Sequence, residues 1–416
     1  MKSVATPSSN RVLVPLGIGL TLSLFGDQTL YTVLPDPDIA AQAGVSMAMV
    51  GVLLGLNRLT RIVTNGPAGM LYDRLPRRSL MIAAMIIGTI STLMYAVGHG
   101  PVPLIVGRIL WGTAWSGIWI GSNSIALDIS GENNRGMING KLQMWFLIGV
   151  GVSGFSGGLF TDLFGYRGGL WVSTGLTALA VIIWAFFLPE TRSTNSPSRT
   201  DKNNRQSLSP HNWKTAALVS IPYIALRIVF AGVLASTAIL WLSQYIGGEA
   251  NILNLAIPLA TMTGLFVAMR VLVSVISAPV IGRISDRIGR RWAVLTGIFI
   301  SGAAGLWFMS LPILALAILG ILLASVTAGG IQSLVPAIIG DQVKEEHRSR
   351  TLSIAFTFGD LGSALGPPLA LGLLPHIGLE NIYLLCAGLF ILSGIFSLRH
   401  ARLEKKRPPI YQELET

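Results

Sequence analysis

Apolar stretches, each long enough to cross a roughly 30 Å hydrocarbon layer as a helix of about 20 residues, recur along the whole chain between short polar or Gly/Pro-rich breaks. Hydropathy and breaker residues place spans near 11–34, 45–71, 79–97, 102–127, 141–163 and 168–188. Six more fall near 214–245, 253–281, 292–310, 312–338, 352–374 and 381–398. The pattern predicts an all-α membrane protein with twelve transmembrane helices in two pseudo-symmetric six-helix halves. Residues 1–189 form the first half and 214–400 the second. The polar stretch 190–213 is a cytoplasmic linker and 401–416 a cytoplasmic tail.

Composition agrees with this reading. Hydrophobic residues make up 51% of the 416 positions and charged ones only 12%, against roughly 25% charged in soluble domains, which excludes an ordinary soluble protein. Twelve spans leave no room for a large extramembrane domain. The net charge of +11 does not indicate nucleic acid, because the basic residues sit between apolar spans and are not massed on a soluble face. With the N-terminus in the cytoplasm, 24 of the 30 Lys and Arg fall on cytoplasmic segments, five inside spans, and one, Arg167, outside. The positive-inside rule thus places both termini in the cytoplasm of an inner or plasma membrane. Lys2 and Arg11 before an apolar run imitate a secretory signal, but the small-residue site Ala41-Gln42-Ala43 lies too far on, so the first span is expected to stay uncleaved. The one cysteine, Cys386, excludes disulfide frameworks and thiolate metal sites.

The two halves repeat each other. A shift of 213 residues carries Gly69, Asp73, Arg74, Arg77 and Arg78 onto Gly282, Asp286, Arg287, Arg290 and Arg291. It also carries Asp128 and Arg135 onto Asp341 and Arg348, Gly149 onto Gly362, and Gly165 onto Gly378.

The five intramembrane arginines are the candidate chemistry, since a charge at the centre of a span is costly and usually faces a cavity or a partner. Asn57, Arg58, Arg61 and Asn65 share an arc of about 100° on span 2, and Thr263, Arg270, Ser274 and Ser277 one of about 80° on span 8. Trp111, Trp115 and Trp119 recur every four residues on span 4, in the arc that also holds Arg108. That arc is expected to avoid lipid and line a cavity; interfacial anchoring is the other reading of such tryptophans. Arg227 is the fifth arginine, and it can equally serve as an internal ion-pair residue. Only Asp27 in span 1 and Asp360 in span 11 oppose them, a formal intramembrane excess of +3 that should attract anions. Asp27 and Arg108 lie at similar depths of roughly 10 to 12 Å by helical rise, so they can pair. A permanent pair would bar Asp27 from carrying a proton; one that opens during a cycle would permit it. Asp360, between Gly359 and Gly362, fits flexible packing or proton coupling.

The loop G-M-L-Y-D-R-L-P-R-R, Gly69 to Arg78, and its image G-R-I-S-D-R-I-G-R-R, Gly282 to Arg291, resemble the signature loop of the major facilitator superfamily. The resemblance covers nearly the whole chain and implies the major facilitator fold. It implies a gating role for Asp73, Arg74, Arg78, Asp128, Arg135, Asp286, Arg287, Arg291, Asp341 and Arg348, with Arg77 and Arg290 serving either the gate or topology alone. Pro76 stands where a glycine is usual. The resemblance further places spans 1, 4, 7 and 10 around a central pathway, hence Asp27, Arg108 and Arg227 beside it. G-R-I-L-W-G from Gly107 is similar to the family's R-x-x-x-G pattern, and Leu30, Tyr31, Leu34 and Pro35 resemble the end of span 1 in drug/proton antiporters. Gly149, Gly157 and Gly158 match the antiporter motif of span 5, whereas Ser153 and Gly154 replace its Gly-Pro pair; close helix packing explains the same small residues.

The expected function is a secondary active transporter working by alternating access, without cofactor or metal and monomeric. Its expected partners are the bilayer, a small amphipathic anionic solute and a coupling proton. The substrate-binding candidates are Asn57, Arg58, Arg61, Arg108, Trp111, Trp115, Arg227 and Arg270; the proton-coupling candidates are Asp27 and Asp360. Export is favoured by the span 1 ending, and import or uniport of an organic anion by the altered span 5; a lipid or lysolipid transporter is the other alternative. A lipid enzyme is disfavoured, since no histidine lies deep in a span and no Ser-His-Asp or H-E-x-x-H arrangement occurs. A receptor is disfavoured by the short loops. No phosphate-binding G-x-x-x-x-G-K-[ST] loop is present to use a nucleotide.

Overall fold

The computed structural model describes residues 9–130, 135–192, 210–252, 255–343 and 345–404. Span 1 is two helices, α1 (Ser9–Ser23) and α2 (Phe25–Val33), interrupted at Leu24. A short α3 (Pro37–Ala43) follows. Asp36 caps it by accepting from the amides of Asp38 and Ile39, Pro37 opens it, and Gly44 at φ +75° closes it. Then come α4 (Met47–Arg74), α5 (Arg77–Val97), α6 (Pro101–Asp128) and the long α7 (Arg135–Phe187). In the second half α8 (Pro210–Leu226) runs through a π-helical segment, Arg227–Val233, into α9 (Leu234–Ile246). After that come α10 (Leu259–Ile288), α11 (Arg291–Met309), α12 (Leu314–Gln342) and α13 (Glu345–Glu404).

One expectation needs correction. The eighth span does not begin at 253, because β1 (Glu249–Ile252) and β2 (Leu255–Pro258) form an antiparallel hairpin with Glu249 opposite Pro258, and α10 starts only at Leu259. Ile252, Leu255 and Ile257 raised the local hydropathy, but β-branched and aliphatic residues around a turn also suit a hairpin.

The repeat is visible in the element boundaries. Shifting α6 by 213 residues gives 314–341, against Leu314–Gln342 for α12. The same shift joins two helix breaks, Gly165 at φ 74°, ψ 168° inside α7 and Gly378 at φ 74°, ψ 166° inside α13. Only glycine adopts that backbone geometry readily.

Among the described residues, nine helical segments are long and apolar enough to cross a membrane. Two of them, Met137–Phe187 and Ile354–Leu403, exceed 45 residues and contain these glycine breaks. Large apolar side chains also cover the outside: Phe186 is 78% exposed, Val63 73% and Leu392 66%. Apolar area on that scale is unfavourable in water and suited to lipid. The chain is a multi-pass membrane protein.

Two compact units are formed. The first holds α1 to α7, α9, the start of α10 to Met269 and the stretch Pro367–Gly372; the second holds α8, the π-helical segment and the remainder of α10 to α13. Leu16, Leu20, Met81, Trp111, Ile118 and Trp184 fill the core of the first, where the Trp184 indole donates to the Pro15 carbonyl at 3.1 Å. In the second, Phe299 meets Phe390 edge-on at 5.3 Å.

Candidate functional site

Within the first unit, Gly112 explains the R-x-x-x-G pattern of α6. A Cβ there would lie 2.6 Å from the Asn57 carbonyl and 2.7 Å from Thr60 Cβ, so only glycine lets α6 approach the α4 backbone so closely. One turn away, Arg108 is thereby laid against α4. Its Nε donates to the Leu53 carbonyl at 2.8 Å, its Nη2 to that of Leu54 at 3.4 Å, and its Nη1 to Asp27 Oδ1 at 2.6 Å. Asn57 Nδ2 donates to the same carboxylate oxygen at 3.3 Å. Tyr31, one helical turn beyond Asp27, donates its hydroxyl to the Leu54 carbonyl at 2.5 Å. The Arg108 and Arg58 guanidiniums lie 5.3 and 5.9 Å from its ring centre. Asp27, Asn57 and Arg108 are all buried, with Arg108 only 1% exposed. The result is a desolvated ion pair held by backbone carbonyls and an aromatic face. Arg61, four residues or about 6 Å further along α4, is half-buried.

The tryptophans depart from expectation. Trp111 and Trp115 are 1% and 6% exposed and belong to the apolar core. Trp115 stacks on Trp119 at 5.9 Å, and both meet Phe146, at 5.9 and 5.1 Å. The stripe packs among α5, α6 and α7 side chains. Arg108, in the same arc, is bound to Asp27.

In the second unit Arg227 Nη2 lies 3.3 Å from Asp360 Oδ1, so the two form an ion pair. Glycines on α13 permit this approach: a Cβ on Gly359 would meet Arg227 Cγ at 3.1 Å, one on Gly362 the Ile224 carbonyl at 2.9 Å, and one on Gly366 the Ile228 carbonyl at 2.7 Å. Arg227 opens the π-helical segment, a wider turn that often marks functional positions. Three residues on, Phe230 takes Arg270, whose Nη2 lies 3.5 Å from the Phe230 carbonyl and whose guanidinium lies 5.7 Å from the ring centre.

The two signature loops are built differently. In the second, Gly289 at φ +67° ends α10, α11 starts at Arg291, and that guanidinium bonds Asp286 at 2.8 Å and also Asp341. In the first, Pro76 immediately precedes α5, which starts at Arg77, one position earlier than the repeat image of α11. The arginine that reaches the aspartate moves with it: Arg77, not Arg78, pairs with Asp128 at 3.2 Å. Arg78 donates to the Ala185 carbonyl instead. Arg77 is thus tied to the end of α6. Asp73, Arg74 and Arg287 are exposed; Arg135 and Arg348 stand in the first turns of α7 and α13, and their side chains lie outside the described residues.

Sequence reading missed Glu190, which it left in the linker. Its carboxylate accepts the first amides of α5, from Arg77 and Arg78, both at 3.0 Å, as well as those of Thr191 and Arg192. Arg192 in turn donates to the Asp73 carbonyl at 2.7 Å. The start of the linker therefore closes over the first loop. Glu190→Ala is expected to lower stability by about 1 kcal/mol, the usual worth of such a cap, read from the thermal melt in detergent; an unchanged melt would count against the cap.

A largely helical membrane protein whose halves repeat each other, with a buried charge pair in its interior and charged loops at equivalent points of each repeat, is built as a solute transporter. Its sequence matches the Major Facilitator Superfamily over residues 16–276 and 251–414, and the chain belongs to that superfamily. It is 22% identical over 365 residues to the inner membrane transport protein YajR of Escherichia coli K12, covering 87% of this chain and 77% of YajR. It is 21% identical over 355 residues to the multidrug resistance protein MdtG of Escherichia coli O1:K1, covering 85% and 84%. Among solved structures it resembles a bacterial homologue of the human lysosomal transporter Spinster in its inward-facing, occupied form, with TM-score 0.76, 18% identity and 94% and 96% coverage. It also resembles the human organic anion transporter MFSD10, with TM-score 0.66, 16% identity and 94% and 100% coverage. The protein is thus a secondary transporter of small molecules within the bilayer, not an enzyme.

Proposed function

We propose that this transporter exports a small amphipathic solute bearing a negative group in exchange for protons, by alternating access of its halves, residues 1–189 and 214–400. The observation that carries this reading is the charge of the interior. Five arginines lie in the membrane-spanning segments against two aspartates, Asp27 and Asp360, and each aspartate is already engaged by one arginine, at 2.6 and 3.3 Å. The formal balance of the spanning segments is +3, which favours anions. We assign Arg58 and Arg61 in the first half and Arg270 in the second to solute recognition, with Asn57, Arg108 and Arg227 holding the neighbouring polar groups in place. Asp27 is the coupling carboxylate: a proton taken there removes the charge that holds Arg108 and Asn57, and Asp360 stands in the same relation to Arg227.

Topology completes the reading. Twelve crossings result when the two long segments are divided at Gly165 and Gly378 and α6 is added to the nine apolar segments. The basic loops support a cytoplasmic position for both termini, the linker 190–213 and the tail 401–416. An inner-membrane location is supported by YajR, and export by the name of MdtG. Import or uniport is the second reading, favoured by Ser153 and Gly154 in place of the antiporter Gly-Pro pair.

A thermal-shift screen of purified protein tests the substrate class, since a ligand that binds the folded form raises its melting temperature. Amphipathic organic anions are expected to stabilise it and size-matched cations are not. Arg61→Ala should remove about 1.4 kcal/mol of binding, tenfold in affinity. Stabilisation by cations alone, or anion binding indifferent to Arg61→Ala, would overturn the reading.

A further inference from the structure

The first segment of α7 ends just before Gly165, and α10 begins at Leu259 after the hairpin. Between them lies a contact that nothing in the repeat predicts. The Asp162 carboxylate accepts from the Thr261 amide at 2.6 Å and from the Thr261 hydroxyl at 2.5 Å, both through Oδ2. Thr261 is the third residue of α10, and amides in a helix's first turn have no acceptor within their own helix. The first turn of α10 carries no acidic residue, so a carboxylate 99 positions away supplies the acceptor. Thr261 is 8% exposed, whereas Asp162 is exposed.

Below this contact the two helices meet backbone to backbone. A Cβ on Gly158 would run into the Ala260 carbonyl and lie 3.1 Å from Thr261 Cα, and one on Gly264 would lie 2.7 Å from Phe155 Cα. A glycine surface of this kind lets the two backbones approach without long side chains between them. The specific polar bonds at this end come from Asp162. The repeat image of Asp162 is Pro375, so the second half has no equivalent.

We propose that Asp162 is the latch of the external gate: its carboxylate holds the first turn of α10 against α7 while the outer side is closed, and releases it when that side opens. This rests on the alternating-access reading and on the topology that puts Gly165 outside, not on the identity of the solute. The partners are a carboxylate and a helix start, an attraction that short charge-assisted bonds make strong when formed.

The test measures gate opening directly and needs no substrate. In full-length protein with Cys386→Ala, which removes the one native cysteine, spin labels at positions 163 and 256 report the separation of the two ends by pulsed electron resonance in lipid nanodiscs. Asp162→Ala and Thr261→Val are each expected to raise the long-distance population about tenfold relative to the closed one, the ratio that corresponds to about 1.4 kcal/mol. Asp162→Asn, which retains one acceptor oxygen, should fall between them and the parent. Identical distance distributions in the parent and in the folded variants would reduce the contact to an ordinary helix cap and overturn the latch, whether or not the melting temperature falls. Because no solute enters the measurement, that failure would leave the anion-export reading standing, and loss of anion binding would leave the latch standing.

Discussion

Replacing Arg108 with alanine will lower the stability of the first unit by about 3–5 kcal/mol, because it leaves the Asp27 carboxylate buried without its cation. Few single changes in the chain should cost more. Arg108 is 1% exposed, bonded to Asp27 at 2.6 Å and to two α4 carbonyls, so its loss also strips those carbonyls of a charged donor. Pairing the change with Asp27→Asn should recover a large part of the loss, since the charge that was stranded is gone. Chemical denaturation of the four proteins of this double-mutant cycle gives the coupling. Equal stability of Arg108→Ala and the double variant would show that the carboxylate is not what makes the single change costly. In proteoliposomes, Asp27→Asn alone should abolish pH-driven flux and spare solute exchange; an intact pH-driven flux would remove Asp27 from the coupling.

Gly366→Val is the second large effect. Gly366 faces Gly232 of the π-helical segment: a Cβ placed there would lie 2.7 Å from the Ile228 carbonyl and clash with Gly232 Cα. No side-chain rotation relieves a clash with backbone, so α13 must withdraw. Overpacking of this kind costs about 1–3 kcal/mol, and here it also pulls Asp360 away from Arg227. Gly366→Val is therefore expected to lower the melting temperature and the transport rate together, whereas Gly372→Val, where an added Cβ meets nothing within 4 Å, should do neither. Similar losses in both variants would refute the close-packing account.

Features that depend on short-range pattern or on the repeat were legible before any coordinates. The 213-residue shift located both helix-breaking glycines, and helical rise alone matched Asp27 with Arg108. What escaped depends on partners far apart in sequence. Nothing around Glu190 marks it as the cap of a helix that starts 113 positions earlier, and nothing around Asp162 points to Thr261; a lone acid at the end of an apolar span was the only available signal for either. The tryptophan stripe shows a different limit. Helical period says that Trp111 shares a face with Arg108, but not whether that face meets water or other side chains. In the fold, Trp111 and Trp115 pack among other apolar side chains. The one-residue displacement of α5 likewise follows from Pro76, whose fixed φ suits a helix entry, whereas Gly289 at φ +67° delays the start of α11. Both residues were visible in sequence, yet their effect on which arginine reaches which aspartate was not.

A single glycine separates the two legs of α7, and another the two legs of α13. With no slack between them, neither leg of a pair can slide along its axis without dragging the other. Any solute that displaces the leg ending at Phe164 must shift the one beginning at Tyr166 as well, so the motion spreads sideways through the half before it reaches the linker.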